Sequence, residues 1–278
     1  MKGFSKVAIF LVLILLIVAL FFLFRSQKIG DDYDFSIYFF NAGKADAIVL
    51  SQNNHYVMID TGEESLSDDI LKYFQSHNIE KLDYLIITHF DKDHVGGAST
   101  ILDKIEVGEV LQSNVRKDSE YYEHYIASLE SKGITPVVVS DNYSVSFGDV
   151  QGYVNGPTTT YEKNESNNSS LIVSLTYGEN HFLFMGDAQN ARIRDYNKID
   201  TVSSYDFLKV PYHGHYLSKL DNLLSSKNIS YAVITSSDSE MEDAETLELL
   251  KSYHISYYLT REGSITVYSN GKKLQIKQ

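Results

Sequence analysis

The stretch LIITHFDKDHVGGAS, Leu85–Ser99, places two histidines and two aspartates within six residues, after an apolar run and before a glycine pair. Alternate residues of an extended segment point to the same side, so His89, Asp91 and Asp93 can converge. His94 follows at the start of a predicted helix. A buried core does not tolerate this density of polar atoms unless they are paired. The stretch therefore predicts a metal site.

The types of ligand in this stretch limit which metal ions the site can bind. Imidazole nitrogens and carboxylate oxygens suit zinc, manganese or iron. The chain has no cysteine, which excludes a thiolate metal site and a cysteine nucleophile. A bound cation lowers the pKa of water from about 16 towards about 7, so that hydroxide is available at neutral pH. We therefore expect a hydrolytic site with one or two ions of Zn²⁺ or Mn²⁺.

The N-terminal segment has a different character from the rest. The run VAIFLVLILLIVALFFLF, Val7–Phe24, contains no charge, and as a helix it would span roughly 27 Å. No small-residue cleavage site closes it, so we predict an uncleaved membrane anchor in residues 1–30 and a hydrolase domain in residues 31–278. The short basic tail and the acidic residues after the anchor favour a single-pass cell-membrane protein whose catalytic domain is extracytoplasmic.

The net charge limits the partners of the domain. The anchor and its flanks hold four of the 24 basic residues and none of the 37 acidic ones, so the remainder has a net charge of −17. Such a surface repels polyanions at long range and argues against high-affinity, non-specific nucleic-acid binding. A metal site can still act on a phosphodiester if the field near the metal is locally positive.

The order of predicted elements indicates a mixed α/β fold. The runs DAIVL and HYVMID predict a hairpin with its turn at SQNN, and ITPVVV predicts a strand. Each half of the chain reads as a β-rich run followed by helices, an order that two packed sheets with outer helices accommodate. The polar segment Thr158–Ser170 is compatible with a flexible surface loop.

Several motifs resemble one family. THFDKDHVGG is similar to the metal-binding signature of the metallo-β-lactamase fold. MIDTG (Met58–Gly62), FLFMGD (Phe182–Asp187) and LKVPYHGH (Leu208–His215) resemble three further family motifs. The resemblance extends from Asp34 to the C-terminus and implies a four-layer αββα sandwich, here preceded by one transmembrane helix.

Within that family the chain resembles the metal-hydrolase domain of ComEC-type competence proteins. GKADAIVL, NNSSLIVSLTYGENHFLFMGDA and LTREGSITV carry this likeness, and an aspartate at position 91 is typical of the group. The resemblance implies a phosphodiester substrate, such as DNA or a phosphate-containing envelope polymer. It also implies six metal ligands: Asp93, His94 and His213 on one ion, His89 and Asp91 on the other, and Asp187 between the two.

The resemblance implies further roles around these ligands. Asp60 would orient ligands, and Asn168 or its neighbour Asn167 would stand where relatives have another histidine. An amide oxygen is a poor ligand, so a weak or empty second metal site is expected. Asp93 or Asp187 would orient the attacking water and accept its proton. His215 is either a proton donor to the leaving group or an exposed loop histidine.

Two departures from the competence group leave the function open. Tyr212-His213-Gly214-His215 replaces the usual His-His-Gly-Ser, and Ser236–Glu245 lacks the late histidine of the group. Our first hypothesis is a membrane-anchored phosphodiesterase or nuclease. The second is a lactone, β-lactam or thioester hydrolase of the same fold. The third is a metal-binding or partner-binding domain without turnover.

Overall fold

Two β-sheets form the centre of the molecule, in a computed structural model that describes residues 33–278. The first sheet has eight strands: β1 (Phe35–Phe39), β2 (Ala47–Gln52), β3 (His55–Thr61), β4 (Lys81–Ile87), β5 (Glu106–Gln112), β6 (Val137–Val138), β14 (Ile265–Ser269) and β15 (Leu274–Lys277). The second has seven: β7 (Asn142–Phe147), β8 (Val150–Asn155), β9 (Ile172–Tyr177), β10 (Asn180–Phe184), β11 (Ser204–Lys209), β12 (Asn228–Ile234) and β13 (Ser256–Leu259).

Both sheets combine antiparallel and parallel pairs. Their strand orders are β15-β14-β1-β2-β3-β4-β5-β6 and β13-β12-β11-β10-β9-β8-β7. Strands β3, β4 and β5 run parallel in the first sheet, and β10, β11 and β12 run parallel in the second. Since ligand sites form at the carboxyl ends of parallel strands, these two triplets are where a site is expected.

Within residues 33–278 the chain forms eight α-helices, and they cover the outer faces of the sheets. They are α1 (Ser67–Ser76), α2 (Lys92–Val95), α3 (Ala98–Lys104), α4 (Glu120–Lys132), α5 (Glu165–Asn168), α6 (Asn190–Ile199), α7 (Leu220–Ser226) and α8 (Ala244–Ser252). Helix α4 has the ends that its sequence predicts, because the Ser119 hydroxyl accepts from the Tyr122 N–H and Gly133 adopts a left-handed conformation.

Three apolar clusters hold these layers together. The largest lies between the sheets, where the ring of Phe39 from the first sheet is 5.6 Å from that of Phe207 in the second. A second cluster packs α1, α3 and α4 against the first sheet, and a third packs α6, α7 and α8 against the second sheet. Burial of large aromatic side chains on both inner faces is the main stabilising term in such a sandwich.

Most predicted elements are present, with two differences, in the ITPVVV strand and in the polar segment Thr158–Ser170. The predicted hairpin forms between β2 and β3, and Asn53 and Asn54 at its turn both have positive φ. The ITPVVV strand is shorter than predicted and spans only two residues, Val137–Val138. Two helices flank the glycine pair: the short α2 (Lys92–Val95) precedes it, and α3 begins at Ala98, directly after Gly97, where a helix start is predicted. The segment expected to be a surface loop contains α5 and ends in the buried residues 168–170.

The predicted membrane anchor, residues 1–30, lies outside the described residues. Among residues 33–278, no helix combines the length and the apolar character needed to cross a bilayer.

Candidate metal centre

The candidate site lies where the parallel strands of both sheets end. His89 follows β4, Asp187 follows β10 and His213 follows β11. Asp60, Tyr212 and His213 all have φ between 51° and 54°, a left-handed conformation that costs residues other than glycine about 1–3 kcal/mol. Strained backbone is therefore found at two of the strand ends that deliver the polar side chains.

Four side chains converge on one point with the spacing of metal ligands. Asp187 Oδ1 lies 3.3 Å from both His94 Nε2 and His213 Nε2. Asp93 Oδ2 lies 3.5 Å from His213 Nε2. Ligand atoms about 2.1 Å from a tetrahedral ion lie about 3.4 Å from one another. The observed separations therefore match a single bound cation.

The hydrogen-bonding inventory supports the same conclusion. His89 Nε2, His94 Nε2, His213 Nε2 and Asp187 Oδ1 are buried and have no hydrogen-bond partner among the described residues. Each such orphan costs about 1–3 kcal/mol. Four orphans facing one another are what a metal ion compensates, so the residues present fit a divalent cation.

Neighbouring groups fix the tautomers of two histidines. Asp60 Oδ2 lies 2.7 Å from His94 Nδ1, and the same carboxylate accepts from the Thr88 N–H. The Thr235 carbonyl lies 3.0 Å from His213 Nδ1. Since both acceptors require a proton on Nδ1, each ring presents Nε2 to the cation. Asp60 therefore has the position predicted for it, behind a ligand.

His89 and Asp91 form a looser second group. His89 Nε2 lies 3.9 Å from Asp187 Oδ2 and 3.8 Å from Asp91 Oδ1. The Asp91 carboxylate is in contact with Lys117, 2.5 Å away, and accepts a hydrogen bond from Ser166. The sequence reading assigned no role to Lys117 or Ser166, and the structure places both at the predicted second metal position.

Asn168 does not point its amide at this second position as a free ligand. Its Oδ1 accepts from the Arg192 N–H at 3.2 Å, and its Nδ2 donates to the Lys163 carbonyl at 3.0 Å. The side chain is buried and supports the first turn of α6. Both polar atoms of the Asn168 amide thus have protein partners in this structure, and its contribution to cofactor binding stays a prediction.

His215 lies two residues after His213, directly behind the short turn Pro211–Gly214. Its side chain is 30% exposed, and Nδ1 is 3.5 Å from Asp243 Oδ1, which orients Nε2 away from that carboxylate. Asp243 also accepts from the Tyr216 N–H. The segment that lacks the late histidine thus supports the loop that carries His213 and His215.

A buried ion pair beneath the ligands was not predicted. Lys209 Nζ contacts Asp46 Oδ2 and donates to the Gly186 carbonyl at 3.1 Å, and both side chains are buried. Asp46 Oδ1 accepts from Thr235 Oγ1 at 2.6 Å and lies 3.7 Å from His213 Nδ1. The pair therefore supports His213, a predicted metal ligand, from the side opposite its Nε2 atom.

The charges of the cluster set the protonation of its members. Burial disfavours the charged forms of His94 and His213, but the nearby carboxylates together outweigh it. Asp187 and Asp60 raise the pKa of His94 well above its usual value, and Asp187 and Asp93 raise the pKa of His213 to about 9. Burial also opposes ionisation of Asp187, but His213 and His94 hold its pKa well below the usual range. Burial together with His94 lowers the pKa of His89 to about 4.

Metal binding should therefore release protons. At pH 7 the metal-free protein holds protons on His94 and His213, and a bound cation requires both rings to be neutral. We expect release of about two protons per ion at pH 7, and fewer as the pH approaches 9, because His213 is then already losing its proton. A pH-stat titration of chelator-treated protein with Zn²⁺ measures this number. His213→Gln should release about one proton fewer, and binding without proton release would contradict the assigned protonation states.

The buried ion pair should matter for stability. Lys209→Met leaves the Asp46 carboxylate buried without its cation, which should lower the free energy of unfolding by about 3–5 kcal/mol. Urea unfolding in the presence of a chelator separates this effect from metal binding. Asp46→Asn/Lys209→Met should recover much of the loss, whereas an equal loss in the double variant would exclude charge burial as its cause. Lys72→Met removes an exposed pair with Asp69 and serves as the control with little expected change.

Comparison with curated proteins agrees with the resemblance to competence proteins. The chain is 26% identical to Recombination protein 2 of Haemophilus influenzae over 204 residues, which are 70% of this chain and 23% of that protein. It is 23% identical to ComE operon protein 3 of Bacillus subtilis over 208 residues, which are 73% of this chain and 27% of that protein. The chain thus spans about a quarter of the length of these relatives.

Solved structures share the fold at low sequence identity. CmlA, a diiron β-hydroxylase from Streptomyces venezuelae, superposes with a TM-score of 0.54 and 14% identity, covering 85% of this chain and 54% of that one. The metallo-β-lactamase fold protein YhfI from Bacillus subtilis gives a TM-score of 0.53 and 9% identity, covering 88% of this chain and 100% of that one. A family model described as the metallo-beta-lactamase superfamily matches residues 41–235. On this match and on the fold, the chain belongs to the metallo-beta-lactamase superfamily.

Proposed function

We propose that the protein is a metal-dependent hydrolase whose substrate is a phosphodiester. The observation that carries this proposal is the set of buried, facing atoms without a protein partner, which includes His94 Nε2, His213 Nε2 and Asp187 Oδ1. A divalent cation held by Asp93, His94, His213 and Asp187 would lower the pKa of a water molecule and polarise the substrate oxygen under attack. The likeness to ComEC-type competence proteins supports the choice of a phosphodiester.

Residues around the cation would orient the attacking water and transfer protons. The Asp93 side chain is 17% exposed and that of Asp187 is 5% exposed, so Asp93 is the carboxylate that faces the opening. Burial opposes its ionisation, but the nearby histidines His213 and His94 hold the pKa of Asp93 below its usual value, so it is ionised at neutral pH. We assign Asp93 the orientation of the attacking water and acceptance of its proton. His215 would donate a proton to the leaving group.

The hydrolase proposal predicts activity on a simple diester. The full chain, purified in mild detergent, should release nitrophenol from bis-p-nitrophenyl phosphate when Mn²⁺ or Zn²⁺ is present. Asp93→Asn should lower the rate by about 10²-fold or more, because it removes a ligand and a proton acceptor together. Asp103→Asn makes the same change on an exposed aspartate of α3 and should leave the rate unchanged.

Other substrates distinguish the remaining functions. Turnover of nitrocefin or a homoserine lactone without diester cleavage would replace the proposal by a lactam or lactone hydrolase of the same fold. Tight metal binding with no turnover of any of these would favour a non-catalytic binding domain. The absence of the late histidine from Ser236–Glu245 is the feature that favours a non-catalytic binding domain.

We also propose that residues 1–30 anchor the enzyme in the cell membrane, with residues 31–278 outside the cytoplasm. The apolar run Val7–Phe24 supports the anchor. Alkaline phosphatase fused to the C-terminus should be active, and the fusion should resist carbonate extraction from membranes. A matched β-galactosidase fusion should be inactive, and the reverse pattern of the two fusions would place the domain inside.

A further inference from the structure

The two predicted metal positions are unequal in this protein. At the first position, the ligand atoms of Asp93, His94 and His213 all lie within 4.8 Å of one another. At the second, His89 Nε2 lies 3.8 Å from Asp91 Oδ1 and 3.9 Å from Asp187 Oδ2. The ligand atoms of His89, His94 and Asp187 also lie within 4.8 Å of one another, but two of these three residues belong to the first position.

A cation of the protein itself already neutralises the second position. Lys117, from the segment between β5 and α4, places Nζ 2.5 Å from Asp91 Oδ1. Ser166, on α5, donates a hydrogen bond to the same oxygen. An ammonium group is a compact point charge, so a divalent ion at His89 and Asp91 would have to displace it or lie against it.

Asn168 could serve as a ligand at the second position only by breaking existing hydrogen bonds. Both polar atoms of the Asn168 amide are bound, one to the Arg192 N–H and one to the Lys163 carbonyl. Turning the amide oxygen towards His89 would leave the Arg192 N–H unsatisfied at the buried start of α6. The second position therefore gains no amide ligand from Asn168, and the Asp91 oxygen 3.8 Å from His89 Nε2 is already bound by Lys117 and Ser166.

We propose that the protein binds one divalent cation, at Asp93, His94, His213 and Asp187, and that the Lys117 ammonium occupies the place of a second ion beside Asp91. The Lys117 side chain is 37% exposed, so its charge also faces the opening of the site. Resting on the proposed phosphodiesterase function, Lys117 then contacts the anionic oxygen of the substrate.

The metal content of the protein tests this directly. Full-length protein dialysed against micromolar Mn²⁺ should contain one ion per chain by elemental analysis, and its electron paramagnetic resonance spectrum should show no spin-coupled pair. In Lys117→Met, a second Mn²⁺ should bind about tenfold more tightly, and Lys117→Met/Asn168→His should hold two coupled ions. Lys92→Met removes an exposed lysine paired with Glu63, next to Asp91 in sequence, and should still bind one ion.

Two results would overturn the proposal. Two coupled ions in the unmodified protein would show that Lys117 does not exclude a second metal. One ion in the unmodified protein, with no gain in either Lys117 variant, would show that another feature excludes it. Ion counts do not depend on the substrate, so a failure to cleave diesters would refute the proposed function and leave the single-ion assignment standing.

Discussion

The convergence of His94, His213 and Asp187 on one buried point is the constraint around which the domain is organised. Their facing atoms have no protein partner, and burying them without one would cost several kcal/mol in total. The metal-free protein reduces this cost by keeping protons on the two histidines beside the Asp187 carboxylate. A bound cation replaces those protons, so folding, protonation and metal affinity are linked through the same few atoms.

The two sheets are what make this convergence geometrically possible. One sheet supplies His94 through the segment that follows β4, and the other supplies Asp187 and His213 after β10 and β11. Interactions behind the ligands then fix the orientation of each ring, through Asp60 for His94 and Thr235 for His213. The buried pair of Asp46 and Lys209 crosses between the sheets at the same level, which ties the ligand positions to the packing of the central core.

Sequence patterns predicted the structural features that are formed by residues close together in the chain. The ligand cluster of residues 89–94 and the hairpin at Asn53-Asn54 each lie within a few residues, so periodicity and turn chemistry reveal them. Asp187 and His213 were accessible only through the family resemblance. No sequence pattern or family motif predicted the contact of Asp91 with Lys117. A single lysine in a polar segment has the same local sequence whether its side chain is solvated or forms an ion pair.

The charges at the site explain why one lysine can stand in for one metal ion. Three carboxylates line the two positions, from Asp91, Asp93 and Asp187, and one divalent ion together with the Lys117 ammonium balances them completely. A second divalent ion added to this set would leave two uncompensated positive charges in a largely buried cluster, where charge imbalance is costly. Without Lys117 the set has one uncompensated negative charge, which favours binding of a second cation. In the single-ion arrangement that we propose, the number of metal ions is set by the charge balance of the whole pocket, including a residue that is not a ligand.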